Sequence, residues 1–127
     1  MIPSAEKLSN VHFEHLIWHN ELENYLLEIQ IIDQRIGTLL KEINNEILTK
    51  ELRKYREKFH EIRDEIRTGK VAIGNHEYRI LEVAALDGSI KLITDSQHDE
   101  IRKTVHRLRK TMMRQKDRFQ YFLAKKI

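Results

Sequence analysis

The segment His15–Leu40, HLIWHNELENYLLEIQIIDQRIGTLL, decides the fold of this chain. Apolar side chains in and around it return every seven residues in two offset series, which is the seam of a helix packed lengthwise against others. The first series is Leu8, His15, Leu22, Ile29, Ile36 and Ile43, and the second is Val11, Trp18, Tyr25, Ile32 and Leu39. The pattern predicts a helix over residues 8–44, which ends at Asn44 because asparagine disfavours helix interiors.

The same seven-residue period continues after Asn45 and predicts a second helix over residues 46–86. Its two series are Leu48, Tyr55, Ile62, Gly69, His76 and Val83, and Leu52, Phe59, Ile66, Ile73 and Ile80. The register passes through Gly69 and Gly74 without a shift, which favours one helix although each glycine costs it about 1 kcal/mol relative to alanine. The alternative is a break near Gly69, which would give a four-helix bundle.

A third helix is predicted over residues 97–123. The turn-forming residues at 87–89 indicate a loop that continues to the candidate N-caps Thr94, Asp95 and Ser96. The seam of this helix consists of His98, Val105, Met112 and Phe119 in one series and Ile101, Leu108, Gln115 and Phe122 in the other.

Composition and helix length together limit the class of protein. The 127 residues carry a net charge of +3 and no cysteine, which excludes disulfides and thiolate metal sites. The sequence lacks a signal peptide and an apolar run of the roughly 20 residues that cross a bilayer, so we expect a cytoplasmic protein with no membrane partner. Three helices of similar length predict an all-α, antiparallel up-down-up bundle that forms a single domain over residues 1–127.

Histidines at seam positions are the unusual feature of the sequence. If the chain folds back directly after the first helix, residues whose numbers sum to 91 lie level, which places His15 beside His76. If the chain turns back at the middle of the predicted second loop, the residue level with His76 lies near His106. The seam residue His98 would then lie about 11–13 Å from that level along the helix. A shorter second helix would bring His98 closer, so the sequence leaves open which of the two joins.

Histidines that converge from separate helices are typical of metal sites in bundles, and imidazole is a ligand for zinc, iron and copper. The candidate metal ligands are therefore His15, His76 and His98 or His106, together with His19 and His12, which lie one turn from His15. Candidate partners of these ligands are Glu21, Glu77 and Glu82. The alternative is a structural or protein-interaction module without a ligand, in which the histidines are polar layers that fix helix register. No catalytic motif is present, so the sequence favours a protein that is not an enzyme unless the metal is catalytic.

The third helix carries many basic residues, which suggests nucleic-acid binding as a further alternative. These residues are Arg102, Lys103, Arg107, Arg109, Lys110, Arg114, Lys116 and Arg118. The first helix is acidic on its flanks, so we expect ion pairs within the bundle instead. The aromatic residues of the third helix lie in its seam and offer no stacking platform for bases.

Apolar residues outside the seams predict a partner. The first helix has Leu16, Ile17, Leu27 and Ile31 outside its seam, and the second has Val71, Tyr78 and Leu81. A helix that is apolar beyond one stripe buries a second face. Since large exposed apolar patches are unusual in monomers, we expect a homodimer, with a different protein partner as the alternative.

Three short motifs resemble uncharacterised small helical-bundle proteins of Bacteroidetes-type bacteria. They are His15-x-x-Trp18-x-x-Glu21-Leu22, His76-x5-Glu82 and the ending Phe119-x-x-Phe122-Leu123-Ala124-Lys125. The resemblance implies a bacterial origin and a helical bundle, and it carries no activity.

Overall fold

The computed structural model is an all-α bundle of three long antiparallel helices. They are α1 (Pro3–Glu42), α2 (Glu46–Leu86) and α3 (Ile90–Lys126). The structure describes the backbone of residues 3–86 and 90–127 and the side chains of residues 9–82 and 96–127. Within these ranges no helix has the length and apolarity that a membrane crossing would need.

The first turn is short and is closed by an asparagine cap. α1 ends at Glu42, two residues before the predicted end, and α2 begins at Glu46 as predicted. The side-chain oxygen of Asn45 accepts hydrogen bonds from the backbone N–H groups of Ile47 at 3.0 Å and Leu48 at 3.1 Å. Asparagine is among the best N-cap residues because its side chain satisfies donors that have no partner in the first turn.

α3 begins at Ile90, seven residues before the predicted start at residue 97. The expectation of a loop up to Ser96 was therefore wrong for residues 90–96, while residues 87–89 lie outside the described part of the chain. The candidate caps at 94–96 lie inside the helix. Such residues disfavour a helix by only about 0.5 kcal/mol each, and extending a helix that already exists is easy. The shorter connection shifts α3 along α2.

The predicted seams form the core of the bundle. All eight predicted seam residues of α3 are buried, and so are most of those in α1 and α2. Gly69 and Gly74 lie within the unbroken α2, so the four-helix alternative was wrong. The half-buried seam residues are Tyr25, Ile32, Ile43, Leu48 and Tyr55, and the side chains of Leu8 and Val83 lie outside the described residues. The heptad pattern therefore identifies the core along most of the bundle.

Ion pairs between α1 and α3 repeat every seven residues. They join Glu14 to Arg102 at 3.0 Å, Glu21 to Arg109 at 2.7 Å and Glu28 to Lys116 at 2.5 Å. Arg107 in turn contacts Glu65 of α2 at 3.4 Å. Four of the eight basic residues named above thus pair with α1 or α2, as the charge pattern predicts. Each such pair contributes about 0–1 kcal/mol, so the series orients the helices more than it stabilises them.

A continuous α2 predicts that its exposed glycine weakens the helix. A Cβ atom added at Gly74 would have no heavy atom within 4 Å, so Gly74→Ala should raise the free energy of unfolding by about 1 kcal/mol. Urea unfolding followed by circular dichroism measures this change. Gly69→Leu is the contrasting variant: a Cβ at Gly69 already lies 3.4 Å from Leu108, so a larger side chain should destabilise the bundle by about 1–3 kcal/mol. A loss of stability in Gly74→Ala would contradict an unbroken helix.

Candidate metal centre

Three histidines, one from each helix, lie together in the core. His15 of α1, His76 of α2 and His98 of α3 are between 2% and 4% exposed. The ring centroid of His15 lies 5.0 Å from that of His76 and 5.2 Å from that of His98. The centroids of His76 and His98 are 5.7 Å apart. One nitrogen of each ring lies within 4.8 Å of one nitrogen of each of the others. We call these three residues the histidine cluster.

The register of the helices brings the cluster together. The short first turn makes His15 and His76 level, as predicted, and His76 Nδ1 lies 3.0 Å from His15 Nε2. The early start of α3 then places His98, and not His106, at the same level. The prediction left these two residues open because it assumed a loop that was seven residues too long.

A carboxylate fixes the tautomer of His15. Its Nδ1 donates a hydrogen bond to Glu77, whose other oxygen lies 2.5 Å from Nδ1 of His12. With the proton on Nδ1, the Nε2 atom of neutral His15 carries a lone pair toward His76. Burial lowers the pKa of His15, and the hydrogen bond to Glu77 opposes burial only in part. The neutral imidazole, which is the form that binds metals, is therefore favoured.

A second carboxylate fixes the tautomer of His98. Its Nε2 donates to Glu14 at 2.8 Å, and Arg102 holds the same carboxylate with distances of 3.0 and 3.1 Å to its two oxygens. The Nδ1 atom of His98 is buried and has no hydrogen-bond partner among the residues whose side chains the structure describes. Buried polar atoms are almost always hydrogen-bonded, so this nitrogen is an exception that requires an explanation. A bound metal ion would satisfy it.

Both carboxylates are held in their charged form. Burial alone would raise the pKa of Glu77, but the hydrogen bonds from His15 and His12 outweigh it and keep the pKa below its ordinary value. Burial likewise opposes the shift at Glu14, where the hydrogen bonds from His98 and Arg102 lower the pKa. Among the described residues, negative charge therefore stands behind the imidazoles of His15 and His98 at neutral pH.

An aromatic wall and a cleft border the cluster. The Trp18 ring packs on His98 with a centroid separation of 4.8 Å, and the Arg102 guanidinium lies 5.8 Å from the Trp18 ring. A cleft of about 260 Å³ between α2 and α3 is lined by His76, Ile101 and mostly polar neighbours. The cluster is thus covered by Trp18 on one side and adjoins this cleft at His76.

The other candidate ligands do not join the cluster. His12 is exposed and contacts Glu77, His19 is exposed, and His106 is exposed with Nδ1 3.5 Å from Arg109. Of the predicted carboxylate partners, only Glu77 contacts the cluster. Glu21 pairs with Arg109, and Glu82 is exposed.

Sequence reasoning missed Glu14 as a partner of His98. Glu14 lies on an acidic flank of α1, and the residues of that flank were expected only to form ion pairs with basic residues of α3. Its contact with His98 depends on how far α3 slides along α1, which the sequence does not specify. The sequence places Glu14 next to His15. Neighbouring residues on a helix point in different directions, so this adjacency did not indicate that Glu14 contacts the cluster.

Burial of neutral His15 predicts a pH-dependent stability. Near pH 8 the folded and unfolded chains both hold it neutral. As pH falls through its ordinary pKa of 6.5, the unfolded chain takes up a proton that the folded chain resists, so the free energy of unfolding falls. The slope is at most about 1.4 kcal/mol per pH unit for one proton. Other ionisable side chains face His15, namely His12 on α1, His76 and Glu77 on α2 and His98 on α3, so a variant is needed to isolate the contribution of His15.

The measurement is urea unfolding of chelator-treated protein between pH 8 and pH 5.5, for the wild type and for His15→Leu. The stability difference between the two should move in favour of His15→Leu as pH falls. His19→Leu, an exposed histidine one turn away, is the matched control and should follow the wild type. Parallel curves for the wild type and His15→Leu would show that burial of His15 does not favour its neutral form.

Comparison with known proteins assigns no family to the chain. No protein-family model, no curated protein and no solved structure matches it. The geometry of the histidine cluster is therefore the basis on which a function rests.

Proposed function

We propose that this protein is a transition-metal-binding helical bundle in which His15, His76 and His98 hold the ion. The observation that carries the proposal is the convergence of three buried imidazoles from three helices, with one nitrogen of each within 4.8 Å of the others. Burying polar rings in an apolar core is unfavourable unless their polar atoms find partners. A metal ion gives all three rings a common partner.

The separations suit a small ion. Nitrogens bound tetrahedrally to zinc at about 2.0–2.1 Å lie roughly 3.3–3.4 Å apart. His15 Nε2 and His76 Nδ1 are already 3.0 Å apart. Since no pair in the cluster exceeds 4.8 Å, binding requires a contraction of at most about 1.5 Å.

The carboxylates behind the rings support the same function. Ligating histidines commonly donate their other N–H to a carboxylate, which orients the ring and makes the ligating nitrogen more basic. Glu77 stands in this relation to His15, and Glu14 to His98. For His98 this arrangement leaves Nδ1 as the lone-pair nitrogen, which is the atom with no hydrogen-bond partner in the described part of the chain.

Three imidazoles without thiolates favour zinc, copper or iron over hard cations such as magnesium. Structural zinc sites fill four positions with protein ligands, whereas sites that bind water or substrate keep one open. A three-histidine site leaves a fourth position, and a cleft of about 260 Å³ borders the site at His76. The ion would therefore be exchangeable and able to bind a small ligand.

The second candidate function is a protein-interaction module without a ligand. The contact between His15 and His76 favours it, because an N–H···N hydrogen bond satisfies both atoms without a metal. That arrangement explains a polar layer but leaves His98 Nδ1 unsatisfied. The metal accounts for all three rings, and we prefer it for that reason.

Metal binding is the direct test. Tag-free protein, stripped with a chelator and titrated calorimetrically with zinc, copper or ferrous ion, should bind about one ion per chain. His98→Phe keeps a ring against Trp18 and removes one ligand, so it should abolish stoichiometric binding. His106→Phe removes an exposed histidine from the same helix and should bind like the wild type. The proposal is wrong if the wild type binds none of the three ions, or if His98→Phe binds as the wild type does while retaining its helical circular dichroism.

The carboxylates should tune the affinity of the site. Glu14→Gln and Glu77→Gln keep a hydrogen-bond acceptor but remove the charge behind one imidazole. Each should weaken metal binding about 10–100-fold without changing the stoichiometry. Glu23→Gln is the matched control, because Glu23 pairs with Lys70 and not with the cluster. Equal affinities for all three variants would show that the carboxylates do not support the ligands.

A further inference from the structure

The outward face of α1 carries a second stripe with the spacing of a helical seam. Its six residues are Phe13, Ile17, Asn20, Asn24, Leu27 and Ile31. They follow one another at alternating intervals of four and three residues, which is the a/d pattern of a coiled coil. All six are exposed, and the four apolar ones have between 47% and 66% of their surface accessible. We call this set the outer stripe.

The outer stripe is symmetrical about Leu22, which points the other way, into the core. Phe13 and Ile31 lie nine residues from Leu22, Ile17 and Leu27 lie five, and Asn20 and Asn24 lie two. In an antiparallel pair of α1 helices with a twofold axis beside Leu22, each stripe residue would therefore face the stripe residue that lies equally far from Leu22 on the other side. Apolar residues would meet apolar residues, and amides would meet amides.

We propose that two copies of this chain pair through the outer stripes of α1, antiparallel, with the twofold axis beside Leu22. A twofold interface uses the same patch on both subunits, so the patch must complement itself. Phe13 of one copy lies opposite Ile31 of the second copy, and Ile17 lies opposite Leu27. The paired stripe is about 27 Å long at 1.5 Å per residue.

Charge does not oppose this pairing. The glutamates that border the stripe are Glu14, Glu21, Glu23 and Glu28, which would repel their counterparts if they were free. Each of them is instead paired with a cation of its own bundle, namely Arg102, Arg109, Lys70 and Lys116. The stripe itself has no charged residue, so a second copy meets a neutral face.

The asparagines explain why the occupant is a second copy of α1. An amide carries both donors and an acceptor, so Asn20 can satisfy Asn24 of the second copy in this register. A polar residue inside a coiled-coil seam fixes register and orientation at some loss of stability. A shift of one heptad would place each asparagine against an apolar side chain. The central amides therefore select the register that the symmetry about Leu22 defines.

Cysteine crosslinking tests the orientation, and the chain has no native cysteine to interfere. Ile17→Cys/Leu27→Cys should crosslink into a covalent dimer on mild oxidation, because the two positions face each other across the interface. Either single variant alone should not, since its two copies would be about 15 Å apart along the axis and a disulfide needs Cα atoms within about 7 Å. A crosslinked dimer of Ile17→Cys alone would indicate a parallel pair and overturn the proposal.

Sedimentation equilibrium tests the interface itself. The wild type should be a dimer at micromolar concentration. Both copies of the chain carry the Leu27→Glu substitution, so the interface is changed at two places. Dimerisation should weaken at least about 100-fold. Ile47→Glu is the matched control, because Ile47 is 70% exposed but lies on α2 outside the stripe. The proposal fails if the wild type is a monomer at 100 µM, or if Ile47→Glu and Leu27→Glu dissociate alike.

Discussion

The structure depends on one constraint, which is that all three helices keep a seven-residue period in phase over most of their length. A helix with 3.6 residues per turn drifts slowly against this period, and a gentle supercoil keeps its apolar stripe facing its neighbours. Leu22, Ile66 and Leu108 are fully buried for this reason. The ion pairs between α1 and α3 follow the same interval of seven residues. Core packing and ion pairing therefore specify the same alignment of α3 along α1.

The histidine cluster uses this alignment at an energetic cost. Three polar rings occupy positions where the pattern would otherwise place leucine or isoleucine, and a buried polar ring is unfavourable without partners. Among the described residues, Glu77 compensates His15 and Glu14 compensates His98, and each carboxylate is held in turn by a further cationic or imidazole group. Such a network is stable only when every member is satisfied. Within the described residues, Nδ1 of His98 is the atom of this network that lacks a hydrogen-bond partner, and a bound ligand would supply one.

Much of the fold could be predicted from the sequence, because it rests on local periodicity. The heptads identify the core of each helix, and the asparagine pair at Asn44 and Asn45 identifies the first turn. The pairing of His15 with His76 followed from that turn alone. The second connection was predicted wrongly because polar residues at 94–96 resemble a helix cap, while helix propagation tolerates them at small cost.

That single error determined what could be known of the site. The identity of the third histidine depends on where α3 begins, and a difference of seven residues exchanges His106 for His98. The role of Glu14 depends on the same shift, because it contacts α3 and not its own helix. Local patterns set which face of a helix is buried. The level at which two faces meet is set by the connection between them, and in this chain the connection carries the weaker signal.

The proposed metal site and the proposed dimer interface lie on opposite faces of α1. His15 points inward, while the outer stripe points away from the core. His15 lies seven residues from Leu22, so an antiparallel dimer would set its two clusters about 21 Å apart along the helix axis. This distance excludes one ion shared between subunits, and each bundle supplies all three histidines itself.

The bundle also has an apolar core away from the histidine cluster, which includes Ile29 of α1 and Phe119 of α3. We therefore expect the chain to fold without the metal, unlike a zinc finger, and a protein that stays helical without metal would be consistent with an exchangeable ion.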